Sequence, residues 1–107
     1  MRRVLFICSR NRLRSPTAEK IFSAFPGIEA DSAGLAPDAE CPLSVDQIEW
    51  ADIIFMMERG HRTKLTQRFK RSLNGRKIVC LDIPDNYDFM QPELVALLEW
   101  KVPPHLL

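Results

Sequence analysis

The chain has 107 residues, of which 46% are hydrophobic and 27% charged, and a formal net charge of +1 at pH 7. This length predicts one domain, spanning residues 1–107, and excludes two separate cores. No apolar run reaches the roughly 18 residues of a membrane span, and the short run after Met1 lacks a signal-peptide cleavage site. Three widely spaced cysteines favour a reducing, cytoplasmic location over a disulfide framework.

The first predicted element is a strand that ends in a cysteine. Apolar residues fill positions 4–7, Cys8 follows, and Arg14-Ser15-Pro16 opens a helical pattern in which we expect Ser15 to be the N-cap. A short loop between a strand and a helix directs backbone N–H groups and the helix dipole at one point, which is typical of an anion site. There Cys8 would be a thiolate nucleophile and Arg14 would clamp phosphate oxygens, whereas the alternative is an inert core cysteine.

The rest of the chain alternates helices and strands. In chain order we predict a helix to Phe25, a strand at 28–32, a capping-box helix from Ser44 with Gln47, a strand at 53–57, a basic helix at 59–73, a strand at 77–81 and a helix from Pro92. This alternation predicts an α/β, three-layer fold with a four-stranded parallel sheet and helices on both faces. Ligands bind beyond the carboxyl ends of such strands, where the loops after strands one and four both open.

The sequence Val4 to Cys8, then Asn11, Arg14 to Glu19 and Phe22, resembles the opening of the low-molecular-weight protein tyrosine phosphatases. The resemblance implies a phosphomonoester hydrolase, most often a protein-tyrosine phosphatase, that acts through a cysteinyl-phosphate intermediate. Its partners would be a phosphotyrosine protein or small aryl phosphate, and inorganic phosphate. We expect no cofactor and no metal.

The resemblance also assigns roles to individual side chains. Cys8 would be the nucleophile, and Arg14 with the loop amides would hold the phosphoryl oxygens. Ser15 would hydrogen-bond the sulfur, Asn11 would brace the loop, and Ser32 would support it from the second strand. The other loop positions expected to bind or support the phosphate are Ser9, Arg10, Arg12 and Leu13.

The general acid is expected in the loop after the fourth strand, which contains Asp82, Asp85 and Asp88. In the resembled family the acid lies in an Asp-Pro-aromatic segment, to which Pro84-Asp85-Asn86-Tyr87 is similar. We therefore predict Asp85 as the acid and keep Asp82 as the alternative. Tyr87 would form a wall of the pocket, or be an ordinary core or surface tyrosine.

Three features depart from the resembled family. Leu13 stands where many members carry a second cysteine, so that the nucleophile has no disulfide partner there. Arg10 and Arg12 predict a strongly basic rim and a more anionic substrate. The chain is also shorter between Gly34 and Ser44, a region that shapes the substrate entrance in the family.

Charge is unevenly distributed along the chain. Residues 21–58 hold eight acids and no Lys or Arg, whereas residues 59–77 hold eight basic residues and no acids. A solvated helix face is the favoured interpretation of the basic segment, because the segment contains no recognition motif for nucleic acid. The histidines, His61 and His105, make no metal-ligand spacing with Cys41 or Cys80.

Two other functions remain open at this point. An arsenate reductase of the same fold would need a relay through Cys41 and Cys80, which are far apart in the sequence. A non-catalytic module would use the same loop and the basic helix to bind a phosphoprotein or nucleic acid. The sequence does not specify the oligomeric state.

Overall fold

The computed structural model describes residues 2–106, so the first and last residues of the predicted 1–107 domain lie outside the described residues. Four parallel strands form one sheet in the order β2-β1-β3-β4, which confirms the predicted fold class. The strands are β1 (Arg2–Cys8), β2 (Ile28–Gly34), β3 (Ile53–Met56) and β4 (Lys77–Cys80). The helices are α1 (Arg14–Phe22), α2 (Val45–Trp50), α3 (Arg59–Phe69) and α4 (Pro92–Lys101), followed by a 3-10 turn at Pro103–His105.

The sheet divides the hydrophobic core of the domain into two layers, because successive residues of a strand point to opposite faces. Val4 and Phe6 pack on the face covered by α1 and α4, where Phe6 stacks on Phe22 and Phe55. Leu5 and Ile7 pack on the opposite face, covered by α2 and α3. Strand β2 lies on one side of β1, and β3 and β4 lie on the other, so the direction in which strands are added to the sheet reverses between β1 and β3. A ligand is expected at the carboxyl ends of these two strands.

Several local predictions need correction, and one is confirmed. Helix α1 ends at Phe22, three residues before its predicted end, and α3 ends at Phe69, four residues before its predicted end. Helix α1 begins at Arg14, with Leu13 as its N-cap, so Ser15 lies inside the first turn and its hydroxyl bonds to the loop instead of capping the helix. Strand β2 continues to Gly34, two residues beyond its predicted end. The capping box of Ser44 and Gln47 is present at the start of α2. None of the helices within residues 2–106 is long and apolar enough to cross a membrane.

Candidate functional site

A pocket of about 380 Å³ lies at the carboxyl end of β1. Its volume is within the range of small-molecule sites. The loop between β1 and α1 and one carboxylate from the far end of the chain form its walls. The lining residues are Cys8, Ser9, Arg10, Arg12, Leu13, Arg14 and Asp85. Six of the predicted loop positions and the predicted acid are therefore brought together.

The backbone carbonyl groups at the start of this loop are held on the side of segment 35–40. The carbonyl oxygens of Cys8, Ser9 and Arg10 accept hydrogen bonds of 2.8 to 3.1 Å from backbone N–H groups in segment 35–40. Because a trans peptide places the following N–H opposite the carbonyl, the next three amides point away from that segment. One of them, the Asn11 N–H, lies 3.2 Å from Cys8 Sγ. Such converging amides form an anion site.

Two polar contacts hold the Cys8 sulfur, which is itself buried. Ser15 Oγ lies 2.9 Å from Cys8 Sγ, and the same hydroxyl lies 2.9 Å from Asn11 Oδ1, to which it donates. Asn11 has a φ of +56°, a left-handed conformation that Asn adopts more readily than most residues. The side chain of Ser15 thus joins the sulfur to the tightest turn of the loop, as the predicted roles of Ser15 and Asn11 require.

Arg14 is the only arginine among the pocket residues that is buried, at 2% exposure, and its guanidinium is held from three sides. Nη1 donates to the Ile83 carbonyl oxygen at 2.7 Å and lies 3.3 Å from Glu58 Oε1, while Nε lies 3.7 Å from Asp85 Oδ1. A buried charge needs such partners to offset its lost hydration. They also fix the plane of the guanidinium fork beside Cys8.

The loop that carries Asp85 is anchored on both sides of the carboxylate. On one side, Ile83 donates its N–H to the Met57 carbonyl and accepts from Arg14. On the other, the Met90 N–H donates to Thr17 Oγ1 of α1 at 3.0 Å. Asp85 thereby lies at the mouth of the pocket, with its side chain 61% exposed.

The other candidates in this loop lie elsewhere. Asp82 does not line the pocket; its carboxylate lies 3.4 Å from Arg59 Nε and 3.5 Å from Cys80 Sγ. Asp88 is exposed, and its N–H bonds to Gln91. Tyr87 is half-buried against the core shared by α1 and α4 and does not line the pocket, so the structure fits the second of the two interpretations of this residue.

The predicted strongly basic rim is wrong. Arg10 Nη1 lies 3.5 Å from Asp38 Oδ2, and Arg12 Nε lies 3.6 Å from Glu40 Oε1. The segment that braces the loop backbone therefore also supplies one acid for each rim arginine. All four side chains are more than half exposed, so these pairs are weak, but they cancel the formal charge of the rim.

Two further residues of the site were not predicted from the sequence. Glu58 follows β3 and reaches Arg14 with one carboxylate oxygen; its other oxygen lies 3.4 Å from His61 Nε2. His61 is 4% exposed, and its Nε2 lies 3.0 Å from Ser9 Oγ. Burial and the charge of Arg14 lower the pKa of His61, against an opposing effect of Glu58. The sequence signal that could have revealed this part of the site is Glu58 itself, an acid close to the carboxyl end of β3, the strand that pairs with β1.

Ser32 is buried on β2, one strand away from Cys8. Its hydroxyl donates to Glu19 Oε1 of α1, and its N–H bonds to Asp31. The described contacts of this side chain therefore reach the phosphate loop only through helix α1.

The three cysteines are free and lie on different parts of the sheet. Pro42, next to Cys41, forms a bridge to Gly34 outside β2, and Cys80 belongs to β4. Neighbouring strands of a sheet lie about 4.8 Å apart. Strand β4, which carries Cys80, is two strand spacings from β1 and four from Pro42, or roughly 10 Å and roughly 19 Å. Disulfide partners have Cα atoms within about 7 Å. Burial also raises the pKa of the Cys80 thiol. The geometry therefore disfavours a relay through these cysteines.

Comparison with known proteins finds a family similarity in the first part of the chain. Residues 3–48 match the family model described as "Low molecular weight phosphotyrosine protein phosphatase". Over these residues the chain is similar to this family. The matched segment contains the whole of the loop between β1 and α1, strand β2 and the bracing segment 35–40.

Several individual proteins are similar to this chain. A protein-arginine phosphatase from Geobacillus stearothermophilus is 28% identical over 91 residues, covering 63% of this chain and 62% of the relative. The chain thus spans about three fifths of that relative. A low molecular weight protein tyrosine phosphatase from Streptococcus pyogenes has a TM-score of 0.74 at 17% identity, covering 92% of this chain and 86% of the other. A tyrosine phosphatase from Escherichia coli K30, in complex with phosphate, has a TM-score of 0.73 at 20% identity, covering 91% and 90%. The two structural similarities show the shared fold.

Proposed function

We propose that this protein hydrolyses phosphomonoesters through a cysteinyl-phosphate intermediate. The observation that carries the proposal is the arrangement around Cys8 Sγ: loop amides turned inward, a buried and oriented Arg14, and a carboxylate 3.7 Å from that arginine. The loop and Arg14 would bind the phosphoryl oxygens and stabilise the charge that they carry in the transition state.

The proposed reaction has two steps. In the first, Cys8 Sγ attacks phosphorus, the ester P–O bond breaks, and Asp85 gives its proton to the leaving oxygen. In the second, Asp85 takes a proton from water, whose oxygen attacks phosphorus and displaces the sulfur. Ser15 Oγ, 2.9 Å from the sulfur, would turn its proton from Asn11 Oδ1 to the departing thiolate and so make the thiolate a better leaving group.

We propose phosphotyrosine proteins or small aryl phosphates as the substrate class. A pocket of about 380 Å³ lined by three arginines suits a dianionic phosphate with an uncharged aryl group behind it. Phosphoarginine is the second candidate, since one similar protein is named a protein-arginine phosphatase. The rim acids Asp38 and Glu40 favour it, because they could receive the cationic guanidinium of such a substrate.

The proposal includes metal-independent turnover and retains the predicted cytoplasmic location, which the three free cysteines support. Among residues 2–106, no three His, Cys, Asp or Glu side chains lie close enough together to hold a metal ion. Because Arg14 and the loop amides would stabilise the charge of the phosphoryl group, turnover is expected to survive treatment with EDTA.

The test is phosphate release by freshly reduced protein, measured with p-nitrophenyl phosphate, a phosphotyrosine peptide and a phosphoarginine peptide. We expect turnover that Cys8→Ser abolishes and that the double variant Cys41→Ser, Cys80→Ser retains. The double variant also tests the arsenate-reductase alternative, which requires both of those thiols. Phosphate binding by a wild-type protein that turns over none of these substrates would overturn the enzyme proposal in favour of a phosphate-binding module.

A further inference from the structure

A buried histidine contacts the phosphate loop from behind. His61 belongs to the first turn of α3, and its Nε2 lies between Ser9 Oγ at 3.0 Å and Glu58 Oε2 at 3.4 Å. Its other ring nitrogen, Nδ1, is buried and has no hydrogen-bond partner among the described residues. Ser9 lines the pocket directly after the nucleophile. The proposed reaction uses neither His61 nor the Ser9 hydroxyl.

The position of the ring proton follows from these contacts. A proton on Nδ1 would be buried without an acceptor and would leave the lone pair of Nε2 facing a carboxylate, and both arrangements are costly. A proton on Nε2 avoids both costs. The lowered pKa of His61 favours the neutral ring, which carries only one of these protons. The Nε2–H therefore donates toward Ser9 Oγ and Glu58 Oε2.

This assignment determines what the Ser9 hydroxyl can do. A serine hydroxyl has one proton to donate and two lone pairs. Because His61 donates to one lone pair, the hydroxyl proton remains for another acceptor, and no described protein group takes it. Ser9 borders the pocket in which the inward amides and Arg14 favour an anion.

We propose that the Ser9 hydroxyl donates a hydrogen bond to the phosphoryl group in this pocket and that His61 is the positioning residue that orients it. This inference rests on the proposed function, since it adds one side-chain donor to the same phosphate site. Glu58 links the two halves of the arrangement, because one of its oxygens contacts His61 and the other contacts Arg14.

The experiment measures the dissociation constant for inorganic phosphate by calorimetry at pH 7, which requires no turnover. The variants are Ser9→Ala, His61→Phe, the double variant of these two, and His61→Gln, whose amide keeps an N–H donor near the position of Nε2. Thr66→Ala, an exposed hydroxyl on the same helix and outside the pocket, is the matched control.

We expect Ser9→Ala to weaken phosphate binding about tenfold, in keeping with a lost hydrogen bond to a charged group. His61→Phe should cause a similar loss, the double variant should lose no more than either single variant, and His61→Gln and Thr66→Ala should bind nearly as the wild type does. If His61→Phe does not fold, Ser9→Ala and His61→Gln decide the question by the same measurement.

The inference is overturned if Ser9→Ala binds phosphate as tightly as the wild type, if His61→Gln binds as weakly as Ser9→Ala, or if the two single losses multiply in the double variant. A protein that binds phosphate with this Ser9 dependence but shows no turnover would contradict the proposed function alone. A wild-type protein that does not bind phosphate would overturn both.

Discussion

Replacement of Asp85 by Asn is the sharpest test of the proposed chemistry. The amide keeps the size of the carboxylate but cannot protonate the leaving oxygen. Loss of a general acid typically costs about 100- to 10,000-fold in rate. We expect a loss in kcat within this range for phenyl phosphate and a smaller loss for p-nitrophenyl phosphate, whose leaving group carries negative charge more easily.

Folding stability should hardly change in this variant. The Asp85 side chain is 61% exposed, and its contact with Arg14 is 3.7 Å long. An ion pair of this kind contributes at most about 1 kcal/mol. Arg14 also keeps its contacts with Ile83 and Glu58. Urea unfolding should therefore give a free energy of unfolding within about 1 kcal/mol of the wild-type value.

Asp82→Asn is the matched control. Asp82 has a φ of +53°, a conformation that Asn also adopts readily, so the backbone should be preserved. Steady-state rates for both aryl phosphates are measured on the two variants. We expect Asp82→Asn to retain near wild-type activity. Equal losses for the two leaving groups in Asp85→Asn, or a larger loss in Asp82→Asn, would refute the assignment of the acid.

The fold and the centre of the site could be predicted because both depend on local patterns. The two central strands, β1 and β3, give continuous apolar runs, and each is followed by a helix signal, which predicts a parallel sheet with helical layers. Cys8 and Arg14 belong to one short loop, so their proximity follows from their spacing. Asp85 required the family resemblance, since the loop offers three aspartates and spacing does not distinguish them.

The remaining features depend on contacts between distant segments. The two rim arginines are paired by acids nearly thirty positions further along the chain, and single-residue charge counts cannot reveal such pairs. His61 contacts Ser9 across 52 positions, and it is buried although the rest of its helix is strongly basic. Ser15 stands before a proline, as an N-cap residue often does. Its hydroxyl instead donates to Asn11 Oδ1 and contacts Cys8 Sγ.

Three further predictions test how the site is built. Gly34→Ala should destabilise the protein by about 1–3 kcal/mol and reduce phosphate binding. The reason is that a Cβ there would lie 2.8 Å from the Ser9 carbonyl oxygen and 2.5 Å from Ala39 Cβ. An unchanged melting temperature and phosphate affinity would contradict the close packing of the loop. Ser15→Ala should cost about 1–3 kcal/mol in urea unfolding, because it leaves buried Asn11 Oδ1 without its donor, and should slow dephosphorylation of the phosphoenzyme in rapid-quench experiments. The third prediction concerns pH: since burial lowers the pKa of folded His61 below 6.5, the unfolded chain binds the proton more tightly, and stability should fall as the pH decreases from 6.5 through the folded pKa and then level off. The charged groups that act on this ring are Arg14, Glu58, Lys64 and Asp85. Urea unfolding of wild type and His61→Gln between pH 7.5 and 5 isolates the contribution of His61, because the other groups titrate in both proteins. A difference between the two free energies of unfolding that does not change with pH would refute the buried neutral histidine.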